Sequence, residues 1–128
     1  MLIKLSLVFA ALSGGLGVAL GAFGAHALRS SLAPRMMETF QTAVQYQMIH
    51  ALALLFVALL MQQHGRSLAF DVAALGMILG ILLFSGSLYG LVLTEMRWLG
   101  PITPLGGVCF LVAWTALLVG SIQLVERP

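Results

Sequence analysis

The sequence predicts an all-α fold, an integral membrane four-helix antiparallel bundle. Asp, Glu, Lys and Arg make up 8% of the 128 residues, against about 25% in soluble domains. These charges leave four nearly uncharged stretches, at about 5–28, 43–61, 72–93 and 105–125. Each holds roughly 20 residues, enough for a helix to cross the roughly 30 Å of hydrocarbon in a bilayer. We therefore expect four membrane spans that form a single domain over residues 1–128.

The first stretch is rich in glycine, which predicts close packing of its helix. Gly17 and Gly21 form a GxxxG pattern that Gly24 continues one turn later. The hydrophobic effect gives little attraction between helices in lipid, so small residues favour association by letting backbones approach closely. The third stretch repeats the pattern. We predict helix-packing roles for Gly17, Gly21, Gly24, Gly76, Gly80, Gly86 and Gly90. The partner helix could lie in the same chain or in another.

The N-terminus also has features of a cleavable secretory signal, namely Lys4, an apolar run and the A-x-A sequence of residues 25–27. The apolar run is longer than the roughly 7–15 residues usual in such signals. Its glycines are also spaced for packing. We therefore expect the first stretch to remain as a membrane span.

The second helix is expected to begin near Pro34, because proline fits the first helical turn, where its missing N–H has no helical partner. An apolar stripe follows at helical spacing, formed by Met36, Phe40, Val44 and Met48. We expect this stripe to face lipid. The polar residues between its members, among them Gln47 and His50, would then face protein.

The fourth stretch contains Cys109 and Trp114. Cys109 is the only cysteine, so it forms no internal disulfide and no thiolate metal site, and we interpret it as an apolar filler. Trp114 lies too deep for the aromatic belt at the membrane surface. We expect it to pack inside the protein with its indole N–H bonded to a partner.

Polar residues gather toward the end of the bundle that carries the first and third connections. This candidate ligand cluster consists of His26, Tyr46, Gln47, His50, Ser85, Ser87, Tyr89 and Thr103. Polar groups in lipid are costly unless they are paired. Their hydrogen bonds could fix the register of the helices, at about 0.6–2 kcal/mol each. They could instead form a site for a proton, a metal, a haem or a small ligand.

Several chemistries are disfavoured. Zinc needs about three protein ligands, whereas only two candidates, His26 and His50, are expected to be near each other. The two histidines are expected at different depths in the membrane, which disfavours a haem bound between them. We predict no metal and no cofactor. Every carboxylate lies at the end of a span, so none can orient a histidine beside a serine nucleophile, and we expect no enzymatic activity. The net charge is +2, and the basic residues form no patch that could bind nucleic acid. The small positive charge is compatible with the anionic headgroups of membrane lipids.

Four segments together resemble a known family. They are residues 21–26 (GAFGAH), 46–50 (YQxxH), 84–89 (FSGSLY) and 103–107 (TPxGG). Over nearly the whole chain, the sequence resembles the YgdD-like family of small bacterial inner-membrane proteins (domain of unknown function 423), related to eukaryotic transmembrane protein 256. The resemblance implies four transmembrane helices in the inner (plasma) membrane and no established activity. Its motifs fall on the polar cluster described above and on Pro104.

Membrane orientation has conflicting support. Lys4, Arg66 and Arg127 are expected on one side and Arg29, Arg35 and Arg97 on the other. This even division gives no orientation by the positive-inside rule. The family resemblance implies cytoplasmic termini, although the second connection and the C-terminus are less basic here than in many members.

Two functions are compatible with these observations. The first is a structural or interaction component of the membrane, with lipids as partners, that assembles as a homo-oligomer or within a larger membrane complex. The alternative is binding or transport of a small solute, lipid or proton through the His/Gln/Tyr cluster. A bundle of four helices has little room for a pathway, so transport would need an oligomer.

Overall fold

The computed structural model describes residues 1–128 and contains four long helices and no strands. Helices α1, α2 and α3 span Leu2–Leu28, Pro34–His64 and Leu68–Thr94. A short 3₁₀ turn precedes α4, which spans Ile102–Val125. All four are long and apolar enough to cross a membrane. The predicted all-α, four-span fold is therefore confirmed, and α2 begins at the predicted proline.

Local contacts build the tight connection between α2 and α3. Gly65 has φ of +89°, a conformation that favours glycine because it has no side chain to clash with the backbone. The Ser67 hydroxyl accepts a hydrogen bond from the Phe70 N–H at 3.2 Å and caps α3. Arg66 donates two hydrogen bonds to Asp71, at 2.8 and 2.9 Å. These bonds and the carboxylate charge raise the pKa of Arg66 above its ordinary value.

The two middle helices form the centre of the antiparallel bundle. α1 packs mainly on α2, α4 packs mainly on α3, and α1 and α4 are not a packed pair. The most apolar segments of α2 and α3 are 39% and 44% buried, against 22% and 17% for α1 and α4. The main core lies between α2 and α3 and includes Leu54, Val57, Met61, Phe70, Ala73, Ala74 and Met77. α1 and α4 therefore leave most of their surface to lipid.

Glycines bring α1 close to α2. A Cβ atom at Gly17 would overlap the Met48 sulfur, and one at Gly24 would lie 2.6 Å from the Phe40 ring. At Gly21 a Cβ atom would be in ordinary contact, 3.4 Å from Val44. The partner of the first glycine pattern is therefore a helix of the same chain.

The apolar stripe of α2 does not face lipid, and that prediction was wrong. Phe40 is 1% exposed, and Phe40, Val44 and Met48 fill the space beside the α1 glycines. An apolar stripe suits a glycine-lined helix as well as it suits lipid, since both surfaces are apolar. The hydropathy pattern therefore cannot distinguish the two environments.

Two glycines of α3 make equally close contacts with α4. A Cβ atom at Gly76 would lie 2.8 Å from the Cβ of Ala113, and one at Gly80 would overlap the Phe110 ring. The α3–α4 pair therefore has the same design as the α1–α2 pair.

The last two predicted packing glycines differ from the others. Gly90 faces Leu99 of the following 3₁₀ turn, at 2.7 Å from an added Cβ, and not a neighbouring span. Gly86 has nothing within 4 Å of an added Cβ. The predicted packing role of Gly86 therefore has no basis within this chain, because sequence spacing does not show which glycines face a neighbour.

A π turn at Ile81–Ser85 interrupts α3, and Gly106 of α4 lies directly against it. An added Cβ at Gly106 would overlap the backbone nitrogen of Phe84 and lie 2.7 Å from its Cα. Backbone atoms cannot turn aside as a flexible side chain can. Gly106 therefore determines how closely α3 and α4 approach.

Replacing Gly106 should test this contact. We expect Gly106→Ala to lower the free energy of unfolding by about 1–3 kcal/mol, because the new methyl group pushes two backbones apart. Denaturant titration of the purified protein in detergent measures the loss. Gly107→Ala is the matched control, since an added Cβ there meets nothing within 4 Å. Equal losses in the two variants would contradict the close α3–α4 contact.

Candidate functional site

Gln47 lies near the middle of α2 and joins three helices. Its Nε2 donates a hydrogen bond to the Ser13 carbonyl of α1 at 2.8 Å. Its Oε1 accepts one from the Tyr89 hydroxyl of α3 at 2.6 Å. A carbonyl oxygen can only accept, so the bond to Ser13 determines which end of the amide is the nitrogen. Gln47 is 5% exposed and holds α1, α2 and α3 in register.

His50 lies one turn further along α2 and connects to α4. Its Nδ1 is 2.7 Å from the Tyr46 carbonyl oxygen, and its Nε2 is 3.0 Å from the Trp114 indole nitrogen. The carbonyl can only accept and the indole N–H can only donate. His50 is therefore the neutral tautomer with its proton on Nδ1. The predicted partner for the Trp114 N–H is thus His50.

Aromatic rings surround His50. Its imidazole stacks on Phe110, with ring centroids 3.5 Å apart and planes at 14°. Tyr46 lies nearly parallel on the same helix at 5.7 Å, and Trp114 meets the imidazole edge-on at 5.9 Å. Tyr46 and Trp114 are 39% and 44% exposed. The histidine itself is thus buried, and the outer rings of this group face lipid.

Hydroxyl groups make the remaining contacts between helices. Ser85 donates to the Ala43 carbonyl at 2.7 Å and links α3 to α2. Ser87 donates to the Phe84 carbonyl at 2.9 Å, so its oxygen accepts from the Thr103 hydroxyl at the start of α4. These bonds place the hydroxyls of the predicted cluster between helices.

The predicted residues do not form one cluster. Gln47, Tyr89 and Ser85 lie between α1, α2 and α3. His50 faces α4, and Tyr46 packs on Phe84 of α3 and Phe110 of α4. Ser87 and Thr103 form a separate pair where α4 begins. The split has a geometric cause. Each residue turns a helix by about 100°, so neighbouring polar positions on α2 point to different helices.

His26 lies apart from these groups. It is exposed, in the π turn at Gly24–Leu28 that ends α1, and it makes no hydrogen bond to any of the other predicted residues. Gly24 packs on Phe40, whereas Gly17 packs on Met48. His26 is therefore level with Phe40 and away from His50, and the expectation that the two histidines lie near each other is incorrect.

Two residues of these groups carry no signal in the sequence. Phe110 supplies the stacking surface for His50, but one phenylalanine in an apolar span carries no distinguishing signal. Ser13 supplies the carbonyl that Gln47 bonds, and backbone atoms are invisible to motif analysis. The hydroxyl of a serine within a helix ordinarily bonds a carbonyl of the preceding turn, so a serine at position 13 does not by itself indicate a contact between helices.

The chemistry available at these positions is hydrogen bonding. No group of three or more His, Cys, Asp and Glu residues is placed to hold a metal ion. Both nitrogens of His50 are bonded, and a second proton would set the imidazole Nε2–H against the Trp114 N–H. As arranged, the His50 group stabilises the contact of α2 with α4.

Comparison with known proteins gives the family. Residues 20–107 match the family model described as "Protein of unknown function (DUF423)". The chain belongs to this family. It is 45% identical to the UPF0382 inner membrane protein YgdD of Escherichia coli (strain K12), over 97% of this chain and 94% of the relative. It is 41% identical to the UPF0382 membrane protein YwdK of Bacillus subtilis (strain 168), over 94% of this chain and 98% of the relative.

These similarities confirm the resemblance to the YgdD-like proteins. Together with the four apolar helices, they make this DUF423 member a small multi-pass protein of the bacterial inner membrane. The family description and the names of these relatives indicate no specific activity. No solved structure matches the chain.

The two tyrosines provide a matched test of the Gln47 bridge. We expect Tyr89→Phe to lower the free energy of unfolding by about 0.6–2 kcal/mol, because the Gln47 Oε1 loses its donor inside the membrane. Tyr46→Phe should change it little, because the Tyr46 hydroxyl makes no hydrogen bond in the structure and only its carbonyl is used. Denaturant titration in detergent measures both. A Tyr46→Phe loss as large as that of Tyr89→Phe would contradict the bridge.

Proposed function

We propose that this protein is a non-enzymatic component of the inner membrane that associates laterally with copies of itself through the outward face of α1. The outward face is defined by Ala11, Gly15 and Ala19. The observation that carries the proposal is that these small residues, all exposed, have no packing role inside the chain.

The outward face has the geometry of a helix-packing surface. Its members are four residues apart, so they lie on one side of α1. That side is opposite the one where Gly17 and Gly24 contact α2. An added Cβ at Gly15 would meet nothing within 4 Å. Small residues give up dispersion contacts with lipid, but they allow another helix to approach closely.

The outer surface of α4 is different. Its exposed positions carry large apolar residues, including Leu111, Leu118 and Ile122, which suit contact with lipid chains. Two copies in one membrane have the same orientation, so a two-fold axis along the membrane normal would bring two α1 helices together side by side. α1 also exposes large residues, among them Leu12 and Val18, but it carries the stripe of small ones as well, which favours α1 as the contact.

A function within the membrane plane also fits the distribution of surface. The connections cover only residues 29–33, 65–67 and 95–101, which leaves little polypeptide outside the membrane for a soluble ligand or nucleic acid. Membrane lipids and other membrane proteins are therefore the proposed partners. We also propose cytoplasmic termini, on the basis of the family resemblance alone.

Disulfide crosslinking tests the self-association. In a Cys109→Ala background we expect Gly15→Cys to give a disulfide-linked dimer when native membranes are treated with copper phenanthroline. Leu111→Cys, at a similar depth on the outer surface of α4, is the matched control and should stay monomeric. The absence of a dimer with Gly15→Cys would count against the proposal. An equal amount of dimer with both variants would also count against it, because it would indicate crosslinking by random collision.

A further inference from the structure

A groove of about 330 Å³ lies between α1 and α3, with α2 beneath it. Leucines of α1 and α3, among them Leu16 and Leu82, form its sides. Four polar residues also line it, namely Ser13, Gln47, Ser85 and Tyr89. The volume falls at the lower end of the range for small-molecule sites, about 300–1,000 Å³. The groove therefore combines apolar walls with a few hydrogen-bonding groups.

Ser13 provides the observation that points to a ligand. It is 6% exposed and lines the groove. Its backbone carbonyl accepts from Gln47, but its side-chain hydroxyl makes no hydrogen bond. This hydroxyl is not fully buried, unlike that of Ser6, so it is accessible from the groove, where an unbonded polar group is costly in lipid. Ser6, whose buried hydroxyl is also unbonded, does not line the groove. A molecule in the groove can satisfy the Ser13 hydroxyl but cannot reach Ser6 from there.

The neighbouring polar groups also have unused bonding capacity. Gln47 uses one of its two N–H groups, on the Ser13 carbonyl. The Tyr89 hydroxyl donates its proton to Gln47 and keeps an oxygen that can accept. Ser85 likewise donates to Ala43 and can still accept. Ser85 is only 1% exposed, so the Ser13 hydroxyl is the main polar group that the groove offers to a ligand, with Gln47 and Tyr89 beside it.

The charge and depth of the groove restrict that ligand. No Asp, Glu, Lys, Arg or His lines it, so it has no partner for an ionised group. Ser13 and Gln47 lie near the middle of α1 and α2, and Tyr89 lies five residues from the end of α3, so the groove runs from the centre of the bundle toward one end. We therefore expect an uncharged ligand that is largely apolar.

We propose that the groove binds a neutral, hydrocarbon-soluble molecule that carries a carbonyl or hydroxyl oxygen, a class to which quinones belong. The oxygen accepts from the Ser13 hydroxyl or from the free N–H of Gln47, and the apolar part lies along the leucines. Gly86 keeps the groove open, because it lines the site and an added Cβ there meets nothing within 4 Å. This accounts for a glycine that contacts no neighbouring helix.

A binding experiment with a defined probe tests the proposal. The protein in lipid nanodiscs is titrated with decylbenzoquinone, and its thermal unfolding temperature is followed. Decylbenzene, which lacks the oxygens, is titrated in parallel. We expect saturable stabilisation by the quinone and none of comparable affinity by decylbenzene. The half-saturating concentration should rise at least tenfold in Gly86→Leu, which fills the groove. It should rise about three- to tenfold in Ser13→Ala, which removes one hydrogen bond.

The control is Gly107→Leu, at another glycine with open space beside it but outside the groove; it should bind the quinone like the parent. Three results would overturn the proposal. The first is equal stabilisation by the two probes, which would mean that the groove takes only lipid chains. The second is no stabilisation by either probe. The third is that both groove variants bind the quinone with the affinity of the parent. If Gly86→Leu does not fold, Ser13→Ala decides, because its basal stability should be retained.

The site is separate from the proposed self-association, because Ala11, Gly15 and Ala19 do not line the groove. Crosslinking of Gly15→Cys should therefore be the same with and without the quinone probe. Failure of one experiment does not imply failure of the other.

Discussion

The structure depends on one constraint: a polar side chain inside lipid must find its hydrogen-bond partner within the protein. Gln47 meets this constraint by bonding α1 and α3 at once, and His50 meets it through Trp114 of α4. Both lie on α2, so that helix contacts all three others through a small number of directional bonds. Apolar packing alone leaves many alternative rotations of similar energy, because lipid and protein surfaces are equally apolar. The polar bonds select one of them.

Glycine contacts complete what the polar bonds begin. Gly17 and Gly24 receive α2 side chains, while Gly76 and Gly106 bring α3 and α4 close together. These pairs are joined through the buried α2–α3 core, and α1 and α4 remain at the outside. The arrangement leaves two different outer surfaces. That of α1 includes a stripe of small residues beside its large ones, whereas the exposed positions of α4 carry mainly large residues.

The two polar regions have different chemical capacities. Around His50 the donors and acceptors are matched and aromatic rings fill the space, which leaves no position for a ligand. Around Gln47 the helices stand apart on one side, and the Ser13 hydroxyl has no partner there. An intramembrane histidine commonly marks a functional site, yet here the capacity for recognition lies beside the glutamine. The family description and the names of the relatives are silent on both regions.

The sequence by itself determined the four-span helical fold, because the separation of charges reflects the thickness of a bilayer and needs no tertiary information. It also identified Gln47, His50 and Tyr89, because any amide, imidazole or phenol in lipid must be bonded. Only the tertiary structure decided which partners they have, since a bond such as Gln47 to the Ser13 carbonyl involves a backbone atom common to every residue. It also decided that the α2 stripe packs on α1, that Gly86 borders a groove and that His26 lies apart. These outcomes depend on the rotation of each helix about its axis, and an apolar surface has nearly the same hydropathy whether it meets lipid or another helix.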